Sequence, residues 1–192
     1  MNRANAHRVV AELLMGVDVR DDTVPGRSGA IPIRYYSSAT ATATLGTVVW
    51  LHGGAFSHGG LDQLESHAVA AALARSGASV VTVDYRRVPP WNPMRTVEPR
   101  LLDGTRYPVP VDDVTDVMER IIDAREGPVT LGGASAGACL SAAATLRAVR
   151  REGPRADRLV LAYGTFHADL PPVSEDLRAR VRGFRGVAQF RR

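Results

Sequence analysis

Four short apolar runs constrain this chain more than any other feature. "TVVWLH" (47–52), "ASVVTVDY" (78–85), "PVTLGGA" (128–134) and "RLVLAYG" (158–164) are continuous, rich in β-branched residues and bounded by glycine or polar turns. A strand with one wet face alternates apolar and polar residues, whereas a continuous run suits a strand buried on both faces. Segments of helical period separate the runs. "LESHAVAAALARSG" carries Leu64, Val69, Ala72 and Leu73 near one stripe, with Asp62 as the expected cap and Gly77 as the stop. "PVPVDDVTDVMERIIDA" sets Val111, Val114, Val117, Met118, Ile121 and Ile122 along one face, and "AGACLSAAATLRAVRREG" is a further helix stopping at Gly153. Strand and helix alternating at this spacing require right-handed crossovers, so the expected fold is α/β, a mostly parallel sheet with helices on both faces.

Upstream, residues 4–15 are expected to form a short helix. "VDVRDDTVPG" and "AIPIRYYS" alternate partially around a Pro-Gly turn, which predicts an N-terminal antiparallel hairpin. The alanine-threonine stretch 39–44 reads as a flexible turn, and 86–106, rich in proline and arginine, as a loop insertion near the site. No internal repeat or linker divides the chain, so residues 1–192 are expected to be one domain. No apolar run approaches the roughly 18 residues that span a bilayer. "MNRANAHRVVAELLMGVDVRDD" lacks the apolar core of a signal peptide, so a cytoplasmic location is expected. Cys139 is the only cysteine, which excludes an internal disulfide and four-cysteine metal sites; it is expected to be a small buried filler.

The formal charge of +4 conceals an asymmetry. All 24 basic residues are arginine, and six lie in 178–192, "RARVRGFRGVAQFRR", which holds no acid. The high pI therefore belongs to a basic tail, expected to be poorly ordered, rather than to a basic face on the domain. No aromatic-interleaved basic groove or zinc spacing accompanies it, so no nucleic-acid partner is expected.

The chemistry centres on Gly133-Ala134-Ser135-Ala136-Gly137, a G-x-S-x-G pattern between a buried strand and a helix. Glycines there permit a turn sharp enough to lift the Ser135 hydroxyl above the sheet edge as a nucleophile. "LHGGAF" (51–56) follows the first parallel strand, where backbone N–H groups can face the oxyanion of an acyl-transfer intermediate. Gly53 and Gly54 are the candidate donors from this loop, and Ala136 from the start of the helix behind the serine. A dinucleotide loop does not explain these glycines. Starting at Gly132, the third position of G-x-G-x-x-G is Ala134, and no G-K-[ST] follows.

With these residues in hand, the chain resembles the hormone-sensitive-lipase-like esterases of the α/β-hydrolase fold. Their H-G-G-G loop matches His52, Gly53, Gly54 and Ala55; their G-D-S-A-G-G elbow matches Gly133 to Ala138. "VDYRRVP" is similar to their V-D-Y-R-L-A-P, and "YPVPVDDV" to their Y/F-P-x-x-x-D-D-V helix entry. The likeness runs from about Val48 to about Pro172. Ala55, Ala134 and Ala138 depart from the pattern but are small enough to leave the turn intact. The resemblance implies hydrolysis of small carboxylic esters, usually with short acyl chains, without metal or cofactor. It also implies that His52 supports the oxyanion loop rather than moving protons.

A serine hydrolase of this fold takes its acid and then its histidine from beyond the serine. After Ser135 the sequence holds one histidine, His167, and beyond the helix the acids Asp157, Asp169, Glu175 and Asp176. Asp157 precedes "RLVLAYG" and so falls at the end of the strand away from the site, roughly 20 Å off at the standard rise. His167 follows the correct end and is a surrogate base at best. His58 and His67 are expected on a loop and on a helix surface. The last two strands of the resembling family, with their acid and histidine, have no counterpart, so a truncated or frameshifted esterase with impaired turnover is expected. The alternatives are a non-catalytic ester-binding or interaction module, or half of a hydrolase completed by another chain. "RLVLAYG" would be an unpaired apolar edge, and self-association through it is expected.

Overall fold

The structure is a computed structural model that describes residues 3–39, 41, 45–89, 105–124, 126–167, 172 and 174–176. The basic tail 178–192, Asp169, residues 90–104 of the loop insertion and most of the 39–44 turn lie outside the described residues.

Ten elements follow the expected alternation. Helix α1 (Arg3–Leu14) leads into β1 (Val17–Val24) and β2 (Ile31–Ser38), which pair antiparallel with Val17 opposite Ser38 and Val24 opposite Ile31. Then come β3 (Thr47–Leu51), α2 (Leu64–Arg75), β4 (Ser79–Val83), α3 (Val109–Asp123), β5 (Val129–Ala134), α4 (Ala136–Arg150) and β6 (Arg158–Ala162). They form one six-stranded sheet in the order β1-β2-β4-β3-β5-β6. Strands β4, β3, β5 and β6 run parallel, and the hairpin joins antiparallel through β2 against β4.

Side-chain alternation along the strands builds two cores. Val49, Leu51, Val81, Val83, Val129 and Leu131 point to one face and pack against Val111, Val114, Val117, Met118 and Ile121 of α3 and Leu140 and Ala144 of α4. Trp50 and Val80 point to the other and pack with Ala70 and Ala74 of α2 and Leu14 of α1. Helices therefore cover both faces. Apolar burial of this kind contributes roughly 25 cal/mol per Å² removed from water, which makes the two cores the main source of cohesion.

The register matters more for function than the core does. Leu51 lies opposite both Val83 and Gly133, and Gly133 lies opposite Leu161. The carboxyl ends of the four parallel strands are thereby level, and His52, Asp84, Ser135 and Tyr163 leave the sheet on one rim. Ligands of open parallel sheets bind outside these carboxyl ends. Asp157 is at the opposite end, where its carboxylate accepts the Val129 N–H at 2.8 Å and its own N–H returns to the Val129 carbonyl at 2.8 Å.

Four local expectations are corrected. Asp62 does not cap α2: the cap position is Gln63, and Asp62 is drawn instead to the Arg34 guanidinium at 2.7 Å. His67 is not a freely exposed surface residue: it is half-buried, and its Nδ1 lies 2.7 Å from the Tyr36 hydroxyl of β2. Cys139 is not buried; its thiol meets the Thr165 backbone, at 3.1 Å to the carbonyl and 3.2 Å to the N–H. Strand β6 is not buried on both faces, with Val160 50% exposed, although among the described residues it is the unpaired sheet edge that was expected. Among the described residues no helix is long and apolar enough to cross a membrane.

Candidate active site

Ser135 sits where β5 becomes α4, and its backbone carries the strain of that change. Its φ is 52° and ψ −116°, in the left-handed half of the map that a side chain disfavours. Holding such a residue costs about 1–3 kcal/mol and requires the surroundings to fix it. They do: the Ser135 N–H donates to the Ala162 carbonyl of β6 at 2.8 Å, and its carbonyl accepts the Cys139 N–H at 3.1 Å. The two flanking glycines are needed for contact. A Cβ on Gly137 would lie 2.3 Å from the Leu51 carbonyl oxygen, and one on Gly133 would lie 2.6 Å from the Gly137 carbonyl carbon. The elbow is thus pressed directly against the end of β3.

The loop after β3 faces this elbow. A Cβ placed on Gly53 would stand 3.2 Å from the Ser135 Cβ, so only a glycine lets the loop backbone approach the serine this closely. The Gly53 carbonyl accepts a hydrogen bond from His52 Nδ1 at 2.6 Å. A carbonyl can only accept, so Nδ1 carries the proton. His52 is fully buried and stacked on Tyr85 at 4.2 Å between ring centroids, and the Tyr85 hydroxyl donates to the His52 carbonyl at 2.8 Å. Burial pushes the Tyr85 phenol well above its usual range, which keeps it a neutral donor. His52 Nε2 lies 3.9 Å from Asp84 Oδ1, and neither atom has a hydrogen-bond partner among the described residues. The His52 ring and carbonyl thus have their partners in Gly53 and Tyr85, and among the described residues no hydrogen bond joins His52 to the serine hydroxyl.

Beyond Gly53 the loop turns through three consecutive residues of positive φ: Gly54 at 119°, Ala55 at 51° and Phe56 at 63°. The Gly54 carbonyl closes the turn by accepting the Ser57 and His58 N–H groups at 3.1 and 2.9 Å. Among the described residues, the N–H groups of Gly54, Ala55 and Ala136 have no protein acceptor. The Gly53 N–H is different. It donates to the Glu65 carboxylate at 3.2 and 3.3 Å, an interaction that no sequence motif signals. Glu65 also accepts Gln63 Nε2 at 2.9 Å. Across the rim, the Tyr163 phenol is pushed up by desolvation and by the nearby Glu65 charge.

A cavity of about 630 Å³ opens beside Gly54, bordered by Arg34, His58, Gln63, Asp84 and Arg87. On the far side of β4, Asp113 is fully buried and accepts both the Arg86 N–H at 2.9 Å and the Arg86 guanidinium. Burial nonetheless pushes its carboxyl above the usual range. The Asp113–Arg86 pair pins the "VDYRRVP" segment to α3. His58 lies exposed on the loop against the Ser57 hydroxyl, at 2.8 Å, and His167 is exposed beyond β6. Among the described residues no hydrogen bond reaches the Ser135 hydroxyl, and no group of three or more His, Cys, Asp or Glu is arranged to hold a metal.

Residues 48–183 match the family model of the alpha/beta hydrolase fold. The carboxylesterase NlhH of Mycobacterium tuberculosis is 33% identical over 180 residues, covering 88% of this chain and 51% of that protein. Among solved structures, the hyperthermophilic esterase of the archaeon Pyrobaculum calidifontis superposes with a TM-score of 0.64 at 29% identity, covering 84% of this chain and 50% of the other. Brefeldin A esterase, a bacterial homologue of human hormone-sensitive lipase, shares the fold with a TM-score of 0.60 at 23% identity, over 77% and 45% of the two chains. The chain thus spans about half the length of the relatives it matches.

Proposed function

The chain belongs to the α/β-hydrolase fold family, and from that premise we propose that it is a carboxylic-ester hydrolase whose nucleophile is Ser135. One observation carries the reading. A serine with φ 52° at a strand-to-helix elbow faces a glycine loop close enough that a Cβ on Gly53 would lie 3.2 Å from the serine Cβ. In this reading the Ser135 Oγ attacks the ester carbonyl. The negative charge that develops on its oxygen is met by the N–H groups of Gly54 and Ala136, with that of Ala55 beside them. The Gly53 N–H is occupied by Glu65 in this reading and orients the loop rather than meeting the oxyanion. His52 supports the loop by fixing the Gly53 carbonyl. The substrate is a small ester, with the cavity beside Gly54 holding one of its ends.

Turnover is proposed to be low, because no imidazole or carboxylate is hydrogen-bonded to the Ser135 hydroxyl among the described residues. Oxyanion stabilisation and binding without a complete triad still give roughly 10³–10⁴-fold over water. Hydrolysis of p-nitrophenyl acetate tests this. The expected result is slow turnover that Ser135→Ala removes and His167→Ala leaves in place. Equal rates for the chain and its Ser135→Ala variant would point to a non-catalytic ester-binding or interaction module.

A further inference from the structure

We propose that Glu65 is a positioning residue of the oxyanion loop, a role that rests on the serine-hydrolase reading above. Glu65 lies in the first turn of α2, twelve residues beyond Gly53, and its carboxylate receives the Gly53 N–H with both oxygens, at 3.2 and 3.3 Å. The Gly53 carbonyl is held from the other side by His52 Nδ1 at 2.6 Å. The glycine is therefore clamped through both its polar backbone groups, one by a helix and one by a buried imidazole. Like that of Phe56, the next N–H groups along the chain, those of Gly54 and Ala55, have no acceptor among the described residues. Clamping Gly53 sets the direction in which these two leave the turn. Preorganised donors act on a developing charge because they need no reorganisation when it forms.

The placement of Glu65 is demanding. The point that a Gly53 Cβ would occupy is 3.0 Å from Glu65 Oε2 and 3.2 Å from the Ser135 Cβ, so a carboxylate stands near the site of a forming oxyanion. Free in that place it would oppose the charge. It is tied instead by the Gly53 N–H, by Gln63 Nε2 at 2.9 Å and by the positive N-terminal end of α2, which spread its charge over fixed donors. A helix-surface salt bridge would need none of these. The geometry fits an anchor for the loop better than a surface charge.

Two readouts on the intact chain test the role. The first is hydrogen exchange of the Gly53 amide by NMR, with the Val49 amide of β3 as the internal reference. The second is kcat and KM for p-nitrophenyl acetate. Glu65→Ala is expected to speed Gly53 exchange by about tenfold or more while Val49 holds. It is also expected to lower kcat on the order of tenfold with KM little changed, the signature of an interaction made in the transition state. Glu65→Gln, which keeps an acceptor for the N–H, is expected to restore both. Unchanged Gly53 exchange in Glu65→Ala overturns the clamp. Unchanged kcat in a background where Ser135→Ala removes turnover overturns its catalytic consequence. If Ser135→Ala turns over like the parent chain, the serine reading fails, and the exchange measurement alone decides whether Glu65 holds the loop.

Discussion

At the elbow, the backbone of β3 and the backbone of α4 meet with no side chain between them. A methyl group on Gly137 would stand 2.3 Å from the Leu51 carbonyl oxygen and 2.5 Å from that of His52. Both are main-chain atoms of a buried strand end and cannot swing aside as a side chain would. Gly137→Ala is therefore expected to cost about 3 kcal/mol by overpacking, read as a lowered urea midpoint. Gly153→Ala is the control: its nearest neighbour would be the Ala148 carbonyl oxygen at 4.0 Å, and a change within about 0.5 kcal/mol is expected. The tight strand-to-helix turn at Ser135 was legible in the sequence because the glycine spacing on either side of it permits that turn. Glu65 was not. Its contact with Gly53 depends on how α2 docks beside β3, and the segment between them carries no pattern that fixes this. The Asp62 cap failed for a related reason. A carboxylate able to cap a helix is equally able to pair with a guanidinium, and Arg34, brought near by the sheet, wins it.

Among the elements, strand and helix positions followed the hydrophobic periods closely, since each parallel strand is buried on both faces except the last. What periodicity does not supply is the partner of a polar side chain inside a helix stripe, and His67 on α2 shows this. It lies against β2, with its Nδ1 2.7 Å from the Tyr36 hydroxyl. Desolvation first, and then the Arg34 charge, hold its pKa below the ordinary 6.5, while Asp62 and Asp21 pull weakly the other way. The unfolded chain therefore binds a proton near pH 6.5 that the folded chain still resists. Stability from this group is complete above that pH and is lost as the pH falls below it. The urea midpoint is expected to fall between pH 7.5 and pH 5.5 more steeply for the parent chain than for His67→Gln. Parallel lines for the two proteins would show that His67 does not control the slope.

For the molecule as a whole, the strand order follows from contacts distant in sequence: β4 sits between β2 and β3, so the hairpin and the first crossover share one strand. The order has one further consequence, at β6. Among the described residues this strand pairs only with β5, and Leu159, Val160 and Leu161 are 40, 50 and 37% exposed. An edge with free backbone groups and apolar side chains on both faces invites another strand. Its own sequence is suited to the task. Antiparallel pairing of two copies centred on Val160 would set Val160 against Val160, Leu159 against Leu161 and Arg158 against Ala162. Apolar pairs then face each other and no like charges are opposed. The chain is expected to sediment as a dimer at about 100 µM, where a strand-pair contact of modest affinity would be populated. Val160→Lys, which places two ammonium groups at the centre of that pairing, is expected to return it to monomer without lowering its thermal midpoint. A monomeric parent chain at that concentration would mean that β6 does not self-pair, and a dimer unmoved by Val160→Lys would place the contact on another surface.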